Sequence, residues 1–437
     1  MNISKKSGKY DLFLAKPSAY WQMIARSDFV QKVVEMLATK IVLIPIGLIT
    51  SVIVNRTLGP EGRGLYAVAL AVGATGVQFA NLGLHASNTY YVSRDRSLLP
   101  KLIGNSIVVS FSIGGIWACG AWAFFTFYPS LAPIEGTLLA LALVYTPFGL
   151  AYMLLQNLLL GLQDVRAYNK TELISGALNV AFIGLAIMLG VVRPETIFIS
   201  GLVVLIGCLT WVVLHLKKGF VISPMPSFIL FKENIRYGLK AYMGALFAFL
   251  VIRIDLIMVK YILGSDQAGY YSLAVSLSDF IFLLPVLVGV ILFPKLSALN
   301  NQHEKWMYTR KVIFWTGLVM LALISGVLFV GKGLIQFLYG KAFLPSVPAF
   351  QLLMPGIFFL GLEVVAVQFL NSLGFPIIIV YVWAFSAILN ILVNLFAIQK
   401  YGIIGASIVS SFCYFMVFLC VMAKIQRVLM GSNGSHE

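Results

Sequence analysis

Within its first sixth the chain reads Val54-Asn-Arg-Thr-Leu-Gly-Pro-Glu-Gly-Arg-Gly-Leu-Tyr66, and 205 residues further on it reads Val259-Lys-Tyr-Ile-Leu-Gly-Ser-Asp-Gln-Ala-Gly-Tyr-Tyr271. Val, Leu, two Gly and Tyr recur in register, and Glu61 corresponds to Asp266. Each copy lies between two long apolar segments. An internal repeat of membrane-spanning halves is typical of secondary transporters. The repeat therefore predicts a two-lobed membrane protein.

The composition supports a helical membrane protein. Hydrophobic residues make up 60% of the chain and charged residues 11%, whereas a soluble domain carries about 25% charged residues. Apolar runs of about 20 residues, long enough to span a bilayer as helices, recur along the chain. A membrane β-barrel would instead show shorter, alternating segments. We expect an all-α polytopic fold.

Hydropathy predicts about twelve spans, which are 33–55, 65–92, 102–127, 137–160, 172–191, 196–216, 240–262, 269–293, 311–330, 347–371, 376–398 and 403–423. The repeat begins at spans one and seven, so both halves have the same topology. They are expected to form a V-shaped pair of six-helix lobes around a central cavity. The predicted divisions are an N-terminal tail 1–32, a first lobe 33–216, a linker 217–239 with an interfacial helix, a second lobe 240–423 and a C-terminal tail 424–437.

Positive charge is unevenly distributed between the two sides of the predicted membrane. With the N-terminus inside, 22 of the 31 Lys and Arg residues fall in inner segments, and seven, including Arg56 and Arg63, fall in outer loops. Because cytoplasmic loops carry the excess of Lys and Arg, both termini are expected in the cytoplasm. The net charge of +15 then faces anionic lipid headgroups and does not indicate nucleic-acid binding.

The motifs of an enzyme are absent from the sequence. It has no Gly-rich phosphate loop and no nucleophile elbow, and its four His residues are too scattered for a metal site. We expect no catalytic residue, no cofactor and no metal, and ATP is not expected to drive the chain directly.

Five ionisable residues lie inside predicted spans, where burial in lipid is costly and a functional role is the default hypothesis. Arg253 suits the oxygens of a phosphate, or it forms an ion pair with Asp279 or Glu363. Lys40 lines a cavity, or it extends to the headgroups. Asp255, Asp279 and Glu363 are candidates for ion coupling, for pairing with a charge, or for hydrogen bonds between helices.

Amide side chains also cluster within the spans. Gln78 and Asn81 lie in span two, and Asn390 and Asn394 share one face of span eleven. Such amides bind sugar hydroxyls in a wet cavity, or they join helices through hydrogen bonds.

Five motifs carry a resemblance to a known family. They are Leu58-Gly-Pro-Glu-Gly-Arg-Gly-Leu-Tyr66, Arg253-Ile-Asp-Leu-Ile-Met-Val-Lys-Tyr-Ile-Leu-Gly264, Ala268-Gly-Tyr-Tyr-Ser-Leu-Ala274, Leu292-Phe-Pro-Lys-Leu-Ser297 and Tyr401-Gly-Ile-Ile-Gly-Ala-Ser407. From residue 33 to residue 424 the chain resembles the polysaccharide flippases of the multidrug/oligosaccharidyl-lipid/polysaccharide exporter superfamily. The peptidoglycan-precursor branch usually has fourteen spans, and twelve are predicted here.

The resemblance implies alternating access, with an undecaprenyl-pyrophosphate-linked oligosaccharide such as an O-antigen repeat unit moving to the outer leaflet of the bacterial cytoplasmic membrane. Family members place cations in the cavity for the diphosphate, and Arg253 and Lys40 are the candidates here. A proton, a sodium ion or the membrane potential would drive transport, and a glycosyltransferase or polymerase is a conceivable partner.

Two other functions remain open at this point. The first is a drug antiporter on the same fold, although such exporters commonly carry an acidic residue in span one, where this chain has Lys40. The second is a membrane scaffold that transports nothing. A positive central cavity would argue against the first, and any central cavity against the second.

Overall fold

The computed structural model of the protein describes residues 28–218, 225–374 and 376–433, and these residues contain no β-strand. The helices are α1 Asp28–Asn81, α2 Leu84–Arg94, α3 Leu99–Phe127, α4 Gly136–Gly161, α5 Val165–Met188, α6 Pro194–Lys218, α7 Phe228–Leu263, α8 Ser265–Ala298, α9 Gln302–Tyr339, α10 Ser346–Asn371 and α11 Ile378–Asn433. Within the described residues, nine helical stretches are long and apolar enough to cross a membrane. The predicted all-α polytopic fold is confirmed.

Two of these helices each hold two of the predicted spans. The helix α1 is broken at Gly59, where φ is 66°, and α11 is broken at Gly402, where φ is 62°. A further break at Leu82 and Gly83 divides the predicted second span between the end of α1 and α2. The hydropathy pattern does not indicate this break. Each of the twelve predicted spans thus corresponds to a helical pass. Some helices, such as α7 and α9, extend several residues beyond the predicted spans, because a helix can continue past the apolar segment that crosses the membrane.

At one end of the bundle, every connection between helices contains a glycine. All six connections at this end contain a glycine with positive φ, namely Gly59, Gly136, Gly190, Gly264, Gly340 and Gly402. We call it the glycine end, and we call the opposite end, which carries Asp28 and Asn433, the terminal end. At Gly59 and Gly264 the backbone combines positive φ with extended ψ, a conformation that glycine alone adopts readily.

The two copies of the sequence repeat touch each other at the glycine end. A Cβ atom added to Gly64 would lie 1.9 Å from the carbonyl oxygen of Ser265, and one added to Gly269 would lie 1.9 Å from that of Pro60. The 205-residue offset relates Pro60 to Ser265 and Gly64 to Gly269, so the contact maps onto itself when the halves are exchanged. We call this contact, formed by residues 60–64 and 265–269, the glycine crossing. Its symmetry is that of the predicted parallel repeat.

The predicted interfacial helix is the beginning of α7 and continues into span seven without a break. Its first turns pack on the first lobe, where Gly83 and Gly238 approach with backbone contact and Asn105 bonds both the N–H and the carbonyl of Ser227. Phe228 is 77% exposed, as expected of a side chain in a membrane interface. The rest of the predicted linker around 219–224, and the tails before residue 28 and after residue 433, lie outside the described residues.

We predict that Gly269→Ala destabilises the protein, because the added methyl group meets the Pro60 carbonyl at the crossing. Overpacking of this kind costs about 1–3 kcal/mol in the free energy of unfolding, so the melting temperature in detergent should fall. Gly184→Ala is the matched control, since nothing lies within 4 Å of its added Cβ and alanine favours a helix by about 1 kcal/mol. Equal melting temperatures for the two variants would contradict a tight crossing.

Candidate functional site

A cavity of about 410 Å³ lies between the lobes, on the terminal side of the glycine crossing. Its walls come from both halves of α1 and from α8. The residues in the walls that carry polar groups are Thr50, Ser51, Arg63, Tyr66, Ser276 and Asp279. We call it the central cavity.

Arg63 supplies the cation of the central cavity. Its Nε donates to Ser272 Oγ at 3.1 Å, and its Nη2 donates to Ser276 Oγ at 2.9 Å. The guanidinium carbon lies 5.9 Å from the centre of the Tyr66 ring. Across the part of the chain that the structure describes, no carboxylate lies within ion-pair distance of Arg63. It therefore carries a positive charge that two hydroxyl groups orient but do not neutralise.

The predicted outer loop around Arg56 and Arg63 is wrong, because both residues lie inside α1. A charged Gly-Pro-Glu-Gly run is typical of a loop, but the break at Gly59 needs no loop residues. One signal was available in the repeat, since Arg63 corresponds to Ala268 in the second copy. An arginine in only one of two matching positions is not required by the shared fold.

Arg56 connects the two lobes at the glycine end, beside the glycine crossing. It donates from Nε to the Leu338 carbonyl at 2.7 Å and from Nη2 to the Phe337 carbonyl. These carbonyls belong to the last turn of α9, which has no further helical N–H groups to bond them and which attracts a cation. Ser51 and Tyr339 add a hydroxyl pair at 3.4 Å. The lobes are thus held together at the glycine end.

Arg253, the first predicted substrate residue, forms an ion pair with Asp279, with 2.9 Å between Nη2 and Oδ2. Both residues belong to the second lobe. Asp279 lines the central cavity and Arg253 does not. Of the two sequence-based alternatives for Arg253, the structure contains the ion pair. The charge of Asp279 is thereby balanced, and Arg63 keeps the cavity positive.

Lys40, the second predicted cation, pairs with Glu172 of span five at 3.3 Å. Gln156 donates to the other oxygen of Glu172 at 2.7 Å. This cluster lies within the first lobe and does not line the central cavity. The sequence pattern does not single out Glu172, because the residue lies near the predicted start of its span.

Asp255 lies inside the second lobe and is 1% exposed. Its Oδ2 accepts hydrogen bonds from the Tyr271 hydroxyl and, at 2.9 Å, from Ser410 Oγ. Asp255 and Asp279 both border a small cavity of about 20 Å³, which is large enough for one water molecule or a small ion. Two carboxylates and the hydroxyl groups of Tyr271, Ser278 and Tyr414 thus border, among apolar side chains, a space of ionic size.

Glu363 is buried in α10 at 3% exposure, and no hydrogen bond links its carboxylate to another described residue. It lies in neither of the two cavities that Asp279 borders. The structure therefore does not bring the three predicted carboxylates together.

The predicted sugar-binding amides also lie outside the central cavity. Asn81 is fully buried and bonds His85 at 2.7 Å, and the Gln78 carbonyl accepts from the Tyr242 hydroxyl. Asn394 donates to Asn390 Oδ1 at 3.1 Å, with both side chains buried. The Gln78 backbone thus joins α1 to α7, and Asn81 bonds across the break between α1 and α2. Asn390 and Asn394 bond each other within α11.

The family model described as "Polysaccharide biosynthesis protein" matches residues 53–348, which is more than half of the chain. The chain belongs to this family. The match includes the glycine crossing, Arg63 and the whole of α8. The protein is accordingly a polysaccharide flippase of the multidrug/oligosaccharidyl-lipid/polysaccharide exporter superfamily, and its family is one of transporters and not of enzymes.

Two relatives show how far the sequence similarity extends. The protein named "Putative O-antigen transporter" of Shigella flexneri is 22% identical over 374 residues, covering 81% of this chain and 87% of the relative. An uncharacterised membrane protein of Methanocaldococcus jannaschii is 26% identical over 204 residues. That match covers 46% of this chain and spans 40% of the length of the archaeal protein.

Solved structures with the same fold include two transporters. The lipid II flippase MurJ in its inward closed conformation has a TM-score of 0.74 at 14% identity, covering 90% of this chain and 87% of the other. An inward-facing multidrug resistance transporter of the MATE family has a TM-score of 0.71 at 14% identity, covering 88% and 95%. At these identities the likeness concerns the fold.

We predict that the Arg253–Asp279 pair shows coupling in a double-mutant cycle. Arg253→Gln leaves Asp279 without its partner, and Asp279→Asn does the converse, so each should lower the melting temperature. The double variant should lose less than the sum, by an interaction energy within about 0.5–3 kcal/mol. The lower part of that range is expected because the side chains are 37% and 39% exposed. Strictly additive losses would contradict the pairing.

Proposed function

We propose that this flippase moves an undecaprenyl-pyrophosphate-linked oligosaccharide from the inner to the outer leaflet of the cytoplasmic membrane by alternating access. The observation that carries the proposal is Arg63, an unneutralised arginine in a cavity between two lobes. A guanidinium binds phosphate oxygens through two parallel hydrogen bonds. The serines that hold Arg63 leave donors of its guanidinium free for such contacts.

The cargo needs a polar path for its head alone. An isoprenoid chain can remain among lipid tails, whereas a diphosphate and its sugars cannot cross hydrocarbon unaided. A positive cavity between rocking lobes satisfies this requirement without ATP. The contacts at the glycine end, which the charge distribution assigns to the outer side of the membrane, would then be broken to release the head.

The charge of the central cavity favours this cargo over a cationic drug. Asp279 is balanced by Arg253, so Arg63 gives the cavity a net positive charge that repels cations. A scaffold without transport has no use for such a cavity. The drug antiporter and the scaffold are therefore the less favoured functions.

We predict that Arg63→Gln weakens translocation of a pyrophosphate-linked glycolipid in proteoliposomes. The loss of hydrogen bonds to a charged group costs about 1.5–3 kcal/mol, which corresponds to a rise of about 10- to 100-fold in the concentration needed for half-maximal transport. Arg63→Lys should lie between, since lysine keeps the charge but not the two-pronged geometry.

Arg193→Gln provides the control for that experiment. Arg193 is also at the glycine end and is exposed. The substitution Arg193→Gln therefore removes the same charge outside the central cavity and should leave transport unchanged. Unaltered transport by well-folded Arg63→Gln would contradict the headgroup site. No transport by the native chain, under a proton, sodium or voltage gradient, would contradict the proposed function itself.

We further propose that Asp255 takes the coupling ion, a proton or a sodium ion. The proposal is supported by a nearly inaccessible carboxylate that hydroxyl groups orient and that borders an ion-sized cavity. Because Asp279 borders both this small cavity and the central one, occupation of the ion site is sensed at the headgroup site.

We predict that Asp255→Asn abolishes the dependence of transport on an imposed proton or sodium gradient, while exchange of glycolipid down its own gradient continues. Glu363→Gln is the matched control, since Glu363 is a second buried carboxylate of the same lobe away from both cavities. The measurement is transport with and without each gradient. If Glu363→Gln uncouples and Asp255→Asn does not, the ion is taken elsewhere than at Asp255.

A further inference from the structure

A second and larger cavity, of about 690 Å³, lies between the lobes at the glycine end. The first lobe contributes residues 117–125 of α3 and Val72 of α1, and the second lobe contributes residues 257–262 of α7 and Leu395 of α11. These residues lie in the glycine-end halves of their helices. We call this cavity the lateral crevice.

The lining of the lateral crevice is mostly apolar and includes four aromatic side chains. Trp117, Phe124, Phe125 and Tyr261 form much of it, with aliphatic side chains between them. The hydroxyl of Thr75, one of its few polar groups, is already bonded to the Ala71 carbonyl at 2.7 Å. Water in such a space would find few partners, so the crevice suits an apolar chain.

The crevice opens sideways toward the surrounding bilayer. Phe124, Tyr261 and Leu395, which belong to three different helices and to both lobes, are 46%, 54% and 43% exposed. Side chains this exposed at the edge of a gap between membrane-spanning helices leave the gap open to its surroundings, which at this depth include the apolar chains of the bilayer. An apolar occupant can therefore enter from the bilayer.

One helical pass separates the lateral crevice from the central cavity. Leu70 lines the central cavity and Val72 lines the crevice, and two residues on a helix differ by about 200° in direction. The head and the chain of one lipid could thus lie on opposite faces of the second span, each in surroundings of matching polarity.

Positive charge flanks the crevice at the glycine end. Lys260 adjoins Tyr261 and Lys400 adjoins Gln399, both of which line the crevice. Among the residues that the structure describes, neither lysine has a carboxylate within ion-pair distance. At the level of the headgroups these two cations complement the phosphates of an anionic lipid.

We propose that the lateral crevice binds the isoprenoid chain of the transported lipid while its diphosphate is bound at Arg63, and that Lys260 and Lys400 attract the diphosphate once it leaves the central cavity. This inference rests on the proposed function, which supplies the lipid. Because both lobes form the walls, rocking of the lobes changes the shape of the crevice. A chain held there has a different affinity in each state, which is what links release of the lipid to the conformational change.

Two glycines of α3 allow a matched test. A Cβ atom added to Gly120, which lines the crevice, meets nothing within 4 Å, and the same is true of Gly115 one and a half turns away, which does not line it. Gly120→Phe therefore fills the crevice, and Gly115→Phe makes the same chemical change beside it. Gly120→Leu, with a smaller side chain, serves in case Gly120→Phe folds poorly.

The experiment labels each protein in liposomes with a polyprenyl diphosphate that carries a diazirine on its chain, and maps the labelled peptides by mass spectrometry. A phosphatidylglycerol with a diazirine on its acyl chain is the second probe. We expect the polyprenyl probe to label residues 117–125 and 257–262 of the native chain. Gly120→Phe should reduce this labelling and glycolipid translocation at least tenfold, with Gly120→Leu in the same direction and Gly115→Phe like the native chain.

Two results would overturn the inference. Native labelling and translocation in Gly120→Phe would place the chain elsewhere. Equal labelling of the crevice by phosphatidylglycerol, with unlabelled phosphatidylglycerol displacing the polyprenyl probe, would make it a general lipid groove. Labelling requires no transport, so a native chain that is labelled but moves no glycolipid contradicts the proposed function and leaves the crevice site standing.

Discussion

The two lobes approach most closely at the glycine crossing, and they can do so because glycine occupies both contact positions. At residues 60–64 and 265–269 the two halves of the chain meet with backbone against backbone, and a single methyl group on Gly64 or Gly269 would overlap a carbonyl of the other half. Close approach of helices through small residues is a general way of packing in membranes, where burial of apolar groups gives no separate driving force. The crossing brings α1 and α8 together, and the central cavity forms where these helices diverge from it.

The two halves of the protein share one fold, but the residues of the candidate headgroup site differ between them. Arg63 corresponds to Ala268, so only one lobe contributes the unneutralised cation. Arg253 and Asp279 balance each other inside the second lobe, and Lys40 and Glu172 do so inside the first. The central cavity is positive because Asp279, the other charged residue in its walls, is paired with Arg253. The same asymmetry places the candidate ion site at Asp255 in one lobe alone.

Transport of an amphipathic lipid calls for two kinds of surface, and both occur between the lobes. The central cavity has hydroxyl groups, an arginine and a balanced carboxylate, whereas the lateral crevice is built from aromatic and aliphatic side chains. The second span separates them. Because both surfaces depend on the relative position of the lobes, a change at the glycine end alters the two together.

The class of the fold, the twelve passes, the parallel repeat and the family could be predicted from the amino-acid sequence, because hydrophobic length and spaced glycine motifs are local properties of a chain. The sequence also identified Arg253, Asp279 and Lys40 as charges inside the membrane-spanning segments. Only the tertiary structure decided which charges are paired, because partners such as Glu172 and Lys40 are 132 residues apart and their distance depends on how the helices pack. The position of Arg63 also depends on the tertiary structure. Its neighbours Gly62 and Gly64 are typical of a loop, but the chain turns at Gly59 without loop residues, and Arg63 therefore lies in a helix that lines the central cavity.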